Sequence, residues 1–364
     1  MHVVWRVQKV SLDLASVRYR ALLPCVSLAD EGVSCALTAT ADKRVIEKAS
    51  HVVIVKAFTP SDIELARHAR ACGKRVYFDL CDNVFVDGYG KSSTLPPARA
   101  LEQMAEHLTA IVVPTHALAK AVRKALGSVH VEVIPDGLED EAVLTKQRQL
   151  VAQFNGQVYG AKNSPRAWLE GMLKRLLPIG RALPEIQKGA SVIVWFGNHG
   201  SPWSNFGLAD ILLFREPLEQ LARERSIVLV VVSNNRSRYE QEIKPIAVPS
   251  TYLEWTPEVL HDVLRRADVV IAPNSGDEFS LCKSSNRTVM ALAAGVPVVA
   301  SPTHALEQLR DCVWLDDPLT GLRRYLDDRK LKSQHLNCAR HLMAMHYAAP
   351  VIGGMWKRLL QGQA

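Results

Sequence analysis

The chain has 364 residues, which exceeds the size at which one hydrophobic core usually stops growing, so two domains are expected. Hydrophobic residues make up 48% and charged residues 22% of the chain, a composition that excludes a disordered, fibrous or membrane-spanning protein. The formal charge of +7 and the pI near 9.0 favour anionic partners, such as a nucleotide diphosphate, an acidic glycan, nucleic acid or an anionic membrane surface. A solvated basic surface is the alternative explanation of the same charge.

The cysteines are odd in number and lack the paired spacing of a metal site. Several lie in apolar runs, which indicates reduced, buried thiols in a reducing compartment. The opening MHVVWRVQKV has no signal-peptide pattern, and no apolar run is long enough to span a bilayer. We therefore expect a cytoplasmic protein. The cysteines are Cys25, Cys35, Cys72, Cys81, Cys282, Cys312 and Cys338.

Residues 1–150 alternate short apolar runs, rich in β-branched residues, with longer segments of helical period. This alternation is typical of parallel βαβ units, and it predicts an N-terminal Rossmann-like domain. Predicted helices cover 62–72, 95–108 and 117–126. The predicted strands are VVWRV, the run around CALTAT, HVVIVKAF, KRVYFDL, AIVVPT and HVEVIP.

A second βαβ series occupies residues 191–332, after a basic and leucine-rich inter-domain segment at 151–190. Residues 333–364 are helical in period, apart from breaks at Pro350 and Gly353-Gly354, and are expected to cross back to the first domain. The fold class is therefore α/β, with two doubly wound parallel-sheet domains facing a cleft. The strands of the second series are SVIVWFGN, IVLVVVSNN, TYLEW, ADVVIAPN and GVPVVASP, followed by CVWLDD.

Ligands bind beyond the carboxyl ends of parallel strands, and the loop after ADVVIAPN carries the strongest signal. A helix is predicted to begin near Ser284 or Ser285, whose hydroxyls can cap it and whose position exposes N–H groups to an anion. Lys283 and Arg287 are four residues apart, so they are expected to share one helical face and meet a diphosphate. Asn286 can offer its amide to a sugar or ribose hydroxyl. The alternative is a solvated basic face on a capped helix.

The loop after SVIVWFGN supplies glycines and polar side chains at the first strand end of the second domain. Gly197 and Gly200 would let the backbone approach a phosphate closely. Asn198, His199 and Ser201 complete this predicted donor-binding loop, and Asn205 lies further along it. A simple strand-to-helix turn is the alternative.

Two loops of the first domain carry the predicted catalytic residues. In SLDLASVRYR, arginines at an i, i+2 spacing do not share a helical face, so only Arg18 is expected to point into a cleft. A purely structural role at the surface is the alternative for Arg18. Asp79 and Asp82 follow a buried strand, where a carboxylate can act as general base for an acceptor hydroxyl. The alternative for each aspartate is a helix cap or an ion pair with Lys56 or Lys74.

Several segments resemble the glycosyltransferase family 4 and family 1 group of GT-B enzymes. VIPDGLED resembles the VIPNGVD junction of that group, and ALAAGVPVVAS resembles its EAMAxGxPVVAS. PEVLHDVLRRADVVIAPN, SVRYRALLPCVSLADEGV and GKRVYFDLCDN are similar to further segments. Aligned on GVPVVAS, Cys282 and Met290 stand where the group has the two glutamates of its E-x7-E pattern. The Lys283, Asn286 and Arg287 cluster resembles the KSxNR variant of lipopolysaccharide and capsule relatives.

The resemblance implies a metal-independent glycosyltransferase that moves a sugar from a nucleotide-sugar to a hydroxyl of a glycan or lipid-linked acceptor, in bacterial surface polysaccharide or glycoconjugate synthesis. The nucleotide-sugar is a co-substrate, so no further cofactor is expected, and nucleic acid is not a predicted partner. Without the two glutamates, retaining stereochemistry stays open. The alternatives are a catalytically inactive scaffold of the same fold and a nucleotide-sugar epimerase. The stripe at 166–188 either contacts a membrane peripherally or packs on the protein itself.

Overall fold

The computed structural model describes residues 1–91, 93–159, 189–201 and 206–363, without the side chains of 157–159. The stripe at 166–188, most of the inter-domain segment and Asn205 lie outside the described residues. In the part that is described, no helix is both long enough and apolar enough to cross a membrane.

The chain forms two compact units, and each of them is discontinuous in sequence. The first unit contains Met1–Val151, Gly276–Asn286 and Leu342–Ala364. The second contains Ala152–Ser275 and Arg287–His341. The segment Gly276–Asn286 thus leaves the second βαβ series and belongs to the first unit.

The first unit is built on a six-stranded sheet in the order β2-β1-β3-β4-β5-β6, and every neighbouring pair is parallel. The central strand β3 is buried along its whole length, because helices cover both faces of a parallel sheet. The strands are β1 His2–Val7, β2 Ser34–Thr38, β3 His51–Val55, β4 Arg75–Asp79, β5 Ala110–Val113 and β6 Val131–Val133.

The helices of the first unit follow the predicted apolar spacing and have clear start signals. Thr59 caps one of them through a capping box with Asp62, and Thr115 caps another. The α-helices are Ala15–Val17, Leu23–Asp30, Pro60–Ala71, Pro97–Ala105, His116–Leu126, Glu141–Tyr159 and Ala349–Gln361. The second unit begins at Ala152, within Glu141–Tyr159. Shorter 3-10 or π-helical turns cover Arg18–Leu22, Lys43–Ile46, Ser280–Cys282 and Met343–Tyr347.

The second unit is built on a five-stranded parallel sheet in the order β11-β10-β7-β8-β9. Its strands are β7 Ser191–Phe196, β8 Ile227–Ser233, β9 Ser250–Glu254, β10 Val269–Ala272 and β11 Val298–Ala300. Its α-helices are Arg215–Glu224, Arg236–Glu242, Pro257–Leu264, Asn286–Ala293, Pro318–Asp327 and Arg329–Leu342. Two terminal residues of these helices, Asn286 and Leu342, belong to the first unit. The 3-10 turns are Leu208–Phe214 and His304–Cys312.

Two local predictions from the sequence are wrong. The run CVWLDD forms no strand and contributes a single bridge between Val299 and Trp314. The helix Ala349–Gln361 runs through Gly353-Gly354 without a break. A Cβ at Gly353 would lie 2.6 Å from the Cβ of Ser27, so this glycine permits two helices of the first unit to approach closely.

Candidate nucleotide-binding site

The second unit has a topological switch point beside β7. This strand lies between β8 and β10, so the chain leaves β7 toward one side of the sheet and later returns on the other. Open parallel sheets bind ligands beyond the carboxyl ends of the strands at such a point. The loop after β7 and the helix Asn286–Ala293, which follows β10, are therefore the elements that can build a site in this unit.

The loop after β7 is held in place by the end of β8. The Ser233 hydroxyl donates to the carbonyl of Gly197 at 2.8 Å. The Asn234 side-chain oxygen accepts the His199 backbone N–H at 3.1 Å and lies 2.8 Å from His199 Nδ1. Arg238 Nη1 donates to the His199 carbonyl at 2.5 Å. Sequence reasoning missed Asn234 and Arg238, although Asn234 directly follows an apolar strand.

Gly200 is required by the loop itself. Its φ of +106° lies in a region that L side chains rarely adopt, and a Cβ would lie 2.3 Å from the carbonyl oxygen of Phe206. The Asn198 side chain accepts the Gly200 N–H at 2.9 Å, and Ser201 follows as a partly buried residue. The geometry of the loop is therefore enough to explain this glycine, and the predicted reason, close approach to a phosphate, is not needed.

Gly197 and Arg287, two of the residues predicted to bind the donor, lie close together in the second unit. A Cβ at Gly197 would lie 3.3 Å from Arg287 Nη1 and 3.3 Å from the Trp195 ring. The Arg287 guanidinium lies over that ring, 5.6 Å from its centroid. Within the described ranges, no carboxylate pairs with Arg287 and no hydrogen bond to it is found. Burial lowers the pKa of Arg287, and the charge of Asp210 opposes this shift.

Lys283 does not share a helical face with Arg287, so that prediction is wrong. The helix begins only at Asn286, and Lys283 has an extended backbone with φ −68° and ψ 149°. Its Nζ lies 2.5 Å from Asp82 Oδ1 and 4.1 Å from the centroid of the Phe279 ring. Lys283 therefore belongs to the first unit and is already paired there.

Asp82 is the centre of an ion cluster at the carboxyl edge of the first sheet. It pairs with both Lys283 and Lys56, in line with the ion-pair alternative for this aspartate. Burial alone would raise the pKa of Asp82, but the two ammonium groups outweigh it and hold the pKa far below its usual range. Lys56 follows β3 with a φ of +46°, a conformation that is uncommon for residues other than glycine. Burial opposes the charge of Lys56, yet Asp82 raises its pKa.

Asp79 is a structural ion-pair partner and not an available base. It is 0% exposed, and Arg20 binds both of its oxygens through Nε and Nη2 at 2.9 to 3.1 Å. Arg20 also donates to the Ile134 carbonyl and to Asp136. Burial raises the pKa of Asp79 to about 6, against the attraction of Arg20. The predicted partners were Lys56 and Lys74, so the ion-pair alternative is correct in kind but wrong in partner.

Arg18 is also a structural residue in this unit. Its Nε lies 3.1 Å from Glu139 Oε2, its Nη1 donates to the Leu12 carbonyl, and the side chain is buried. The expectation that only one of Arg18 and Arg20 turns inward is wrong. All five residues of the π-helical turn Arg18–Leu22 are buried, so arginines on different faces of this turn are both enclosed by the protein.

The segment Gly276–Asn286 is docked on the first sheet by polar contacts. Asn83 donates to the Glu278 carbonyl at 3.2 Å, and Thr115 donates to the Cys282 carbonyl at 2.9 Å. The Ser284 hydroxyl donates to Asp136 at 2.6 Å. The Cys282 side chain packs into the hydrophobic core of the first unit. The cysteine that stands in the place of a family glutamate thus has a packing role.

The helix start itself retains polar groups that are available to a ligand. Ser285 precedes the helix as a partly buried residue. The side-chain oxygen of Asn286 is buried without a hydrogen-bond partner among the described residues. Met290, in the place of the second family glutamate, supplies no carboxylate. Across the described ranges, no group of three or more His, Cys, Asp or Glu side chains is arranged to hold a metal ion.

Two parallel α/β units, with sheets of six and five strands, define the GT-B class of fold. Residues 190–317, less than half of the chain, match the family model described as glycosyl transferases group 1. The resemblance to family 1 and family 4 GT-B enzymes noted in the sequence is thereby confirmed. No curated protein matches the chain significantly.

Solved structures with the same fold match almost the whole chain. HepE (Alr3699) of Anabaena, in complex with UDP, is 13% identical, with 99% of both chains covered and a TM-score of 0.63. A glycosyltransferase from Rickettsia africae ESF-5 is 11% identical, with 100% and 98% covered and a TM-score of 0.62. An E. coli structure titled trehalose-6-phosphate, bound with UDP-2-fluoro glucose, is 10% identical, with 99% of both chains covered and a TM-score of 0.61. At these identities the likeness establishes the fold.

Proposed function

We propose that the protein is a glycosyltransferase that moves a sugar from a nucleotide-sugar to a hydroxyl of a glycan or lipid-linked acceptor. The observation that carries the proposal is Arg287, a cation without a carboxylate partner in the described ranges, beside Gly197 at the switch point of the second unit. Both residues lie in the segment that matches the glycosyltransferase model. The UDP and UDP-2-fluoro glucose bound in two similar structures support a nucleotide-sugar donor.

In the proposed reaction, the acceptor oxygen forms a bond to the anomeric carbon while the bond from that carbon to the β-phosphate oxygen breaks. The acceptor proton passes to a base, and the nucleoside diphosphate leaves with an added negative charge. Arg287 meets this charge with guanidinium N–H donors in a partly desolvated setting, where an ionic hydrogen bond is stronger than in water. The backbone after Gly197 and the Asn286 amide lie beside it and contact the diphosphate or the sugar.

The proposed mechanism needs neither a metal ion nor a cofactor beyond the nucleotide-sugar. Arg287 and the N–H groups at the start of its helix supply the charge neutralisation that a divalent cation provides in other transferases. Turnover is accordingly expected to be unchanged when EDTA replaces added Mg²⁺ or Mn²⁺. Loss of turnover in EDTA, restored by one of these ions, would contradict this part of the proposal.

The function is tested by calorimetry with UDP, GDP, CDP and ADP, followed by turnover with the sugar nucleotides of the base that binds. One of the four is expected to bind, and Arg287→Gln should weaken it by about 10- to 100-fold, the usual value of a charged hydrogen-bond pair. The matched control is Arg265→Gln, which removes an exposed arginine of the same unit that pairs with Asp262. Equal binding by wild type and the Arg287 variant would refute the site.

Product analysis separates the remaining alternatives. Glycosyl transfer releases a nucleoside diphosphate and yields a new glycan or glycolipid. An epimerase would yield an isomeric nucleotide-sugar without releasing the diphosphate. The inactive scaffold is favoured by the missing carboxylates at Cys282 and Met290, and it would bind nucleotide without any turnover across the acceptors tried.

A further inference from the structure

Trp195, at the carboxyl end of β7, carries the guanidinium of Arg287 on its ring. The centroid distance of 5.6 Å is within the range of a cation–π contact, and indole is the best aromatic partner for a cation. We propose that Trp195 is a positioning residue that holds Arg287 in place for the diphosphate of the donor. This inference rests on the proposed function, since it assigns a role within the same site.

The chemistry of the contact explains how an arginine can stay both fixed and available. A carboxylate partner would neutralise the guanidinium and occupy its N–H donors. The face of an aromatic ring attracts the cation without accepting those N–H groups in the guanidinium plane. Arg287 therefore keeps its full charge and its donors for phosphate oxygens. Lys283, by contrast, has its ammonium on Asp82.

Gly197 is the third member of this arrangement. A side chain there would press on both partners, because its Cβ would lie 3.3 Å from Arg287 Nη1 and from two atoms of the Trp195 ring. The absence of a side chain at this position lets the ring and the guanidinium stack at the end of the strand.

Trp195 also belongs to the hydrophobic core of the second unit. It is 0% exposed, and its Nε1–H has no hydrogen-bond partner in the described part of the chain. Phenylalanine is smaller than tryptophan, so Trp195→Phe removes an unpaired buried donor but leaves a small cavity, and a loss of stability is expected. The test must therefore separate a loss of binding from a loss of stability.

The test is a double-mutant cycle with Trp195→Phe and Arg287→Gln, measured by titration with the nucleoside diphosphate that wild type binds and with inorganic pyrophosphate. Trp195→Phe should weaken binding by up to about fivefold in the presence of Arg287, because a phenyl ring keeps only part of the attraction that the indole ring offers to a cation. In the Arg287→Gln background the same change should alter binding by less than about twofold, because the ring acts through the arginine. In turnover, the donor KM should rise more than kcat falls.

Trp356→Phe is the matched control, because Trp356 is equally buried, has an unpaired indole N–H and contacts Trp5 edge-on in the first unit. Both variants should lower the thermal midpoint by a similar amount, because each leaves a small cavity at a buried site, and only Trp195→Phe should lose affinity. Equal affinity of Trp195→Phe and wild type, or an equal loss in both Arg287 backgrounds, would overturn the inference alone. Failure of wild type to bind any nucleoside diphosphate would overturn the proposed function with it, whereas binding without turnover would leave Trp195 as a positioning residue of a scaffold.

Discussion

Replacing Asp82 with asparagine should release the segment Gly276–Asn286 from the first sheet. The carboxylate pairs with Lys56 and Lys283, and it is the charged contact that ties this segment down. Breaking a buried ion pair typically costs about 3–5 kcal/mol. The two lysine side chains are 30% and 36% exposed, so they regain water in the variant. We therefore expect a smaller loss of about 2 kcal/mol after solvent screening is taken into account.

Hydrogen exchange of the backbone amides measures this loss of free energy directly. The backbone N–H groups of Leu281, Cys282 and Lys283 donate to Asp277, Phe279 and Ser280, so they exchange only when the segment opens. A loss of about 2 kcal/mol corresponds to about 30-fold faster exchange at these amides. The control is Asp30→Asn, which removes an exposed carboxylate paired with Lys146 and should leave exchange unchanged. Exchange within twofold of wild type in Asp82→Asn would refute the anchoring role.

The contribution of Asp82 also has a defined pH dependence. Its pKa is lower in the folded protein than the value of about 3.9 in an unfolded chain, so its stabilisation is present above that value and is lost as the pH falls. Wild type has a higher free energy of unfolding than Asp82→Asn, and this difference should shrink by about 1 kcal/mol as the pH falls from 5 to 3. Thermal midpoints across this range measure the difference, and a constant gap would contradict the depressed pKa.

Two further predictions follow from the local geometry. Gly200→Ala should lower the free energy of unfolding by about 1–3 kcal/mol and weaken nucleotide binding, because the φ of +106° and the carbonyl of Phe206 exclude a side chain. Calorimetry and thermal shift measure both effects, and Gly354→Ala, at an open helical position, is the control. Diamide should oxidise Cys312 and Cys338, whose sulfur atoms are 3.1 Å apart, to a disulfide across 26 residues while it is itself reduced to the hydrazine. The bond should stabilise the second unit by about 3 kcal/mol, and an unchanged thiol count or a lower thermal midpoint would contradict this.

The strands were predictable because each is a short buried run at the centre of a parallel sheet. HVVIVKAF, SVIVWFGN and ADVVIAPN became β3, β7 and β10 nearly at the predicted bounds. A parallel strand is buried on both faces, so its sequence is continuously apolar and its ends are marked by polar loop residues. CVWLDD also begins with an apolar run, yet it forms only one bridge, between Trp314 and Val299 of the edge strand β11. Composition alone does not reveal whether a neighbouring strand is present.

The polar clusters could not be predicted to the same degree, since their partners are distant in sequence. Lys283 and Asp82 are 201 residues apart, and Arg20 and Asp79 are 59 apart. Each residue type was compatible with a ligand site or an ion pair, and the choice depends on what the fold places opposite it. The spacing of Arg18 and Arg20 gave no sign that the turn Arg18–Leu22 is buried on all sides, so the burial of both arginines was missed.

The contrast between Lys283 and Arg287 shows why one of two similar cations in the same motif is the better candidate for binding a ligand. A charge leaves water at a large cost unless an opposite charge or a polar group replaces the lost hydration. For Lys283 the replacement is Asp82, and the resulting pair anchors a chain segment. For Arg287 the replacement is an aromatic face and the distant charge of Asp210, which leaves the guanidinium donors without a partner among the described residues. An anionic ligand would complete that hydrogen bonding, so this free-energy argument supports our proposal that Arg287 is the cation that binds the donor.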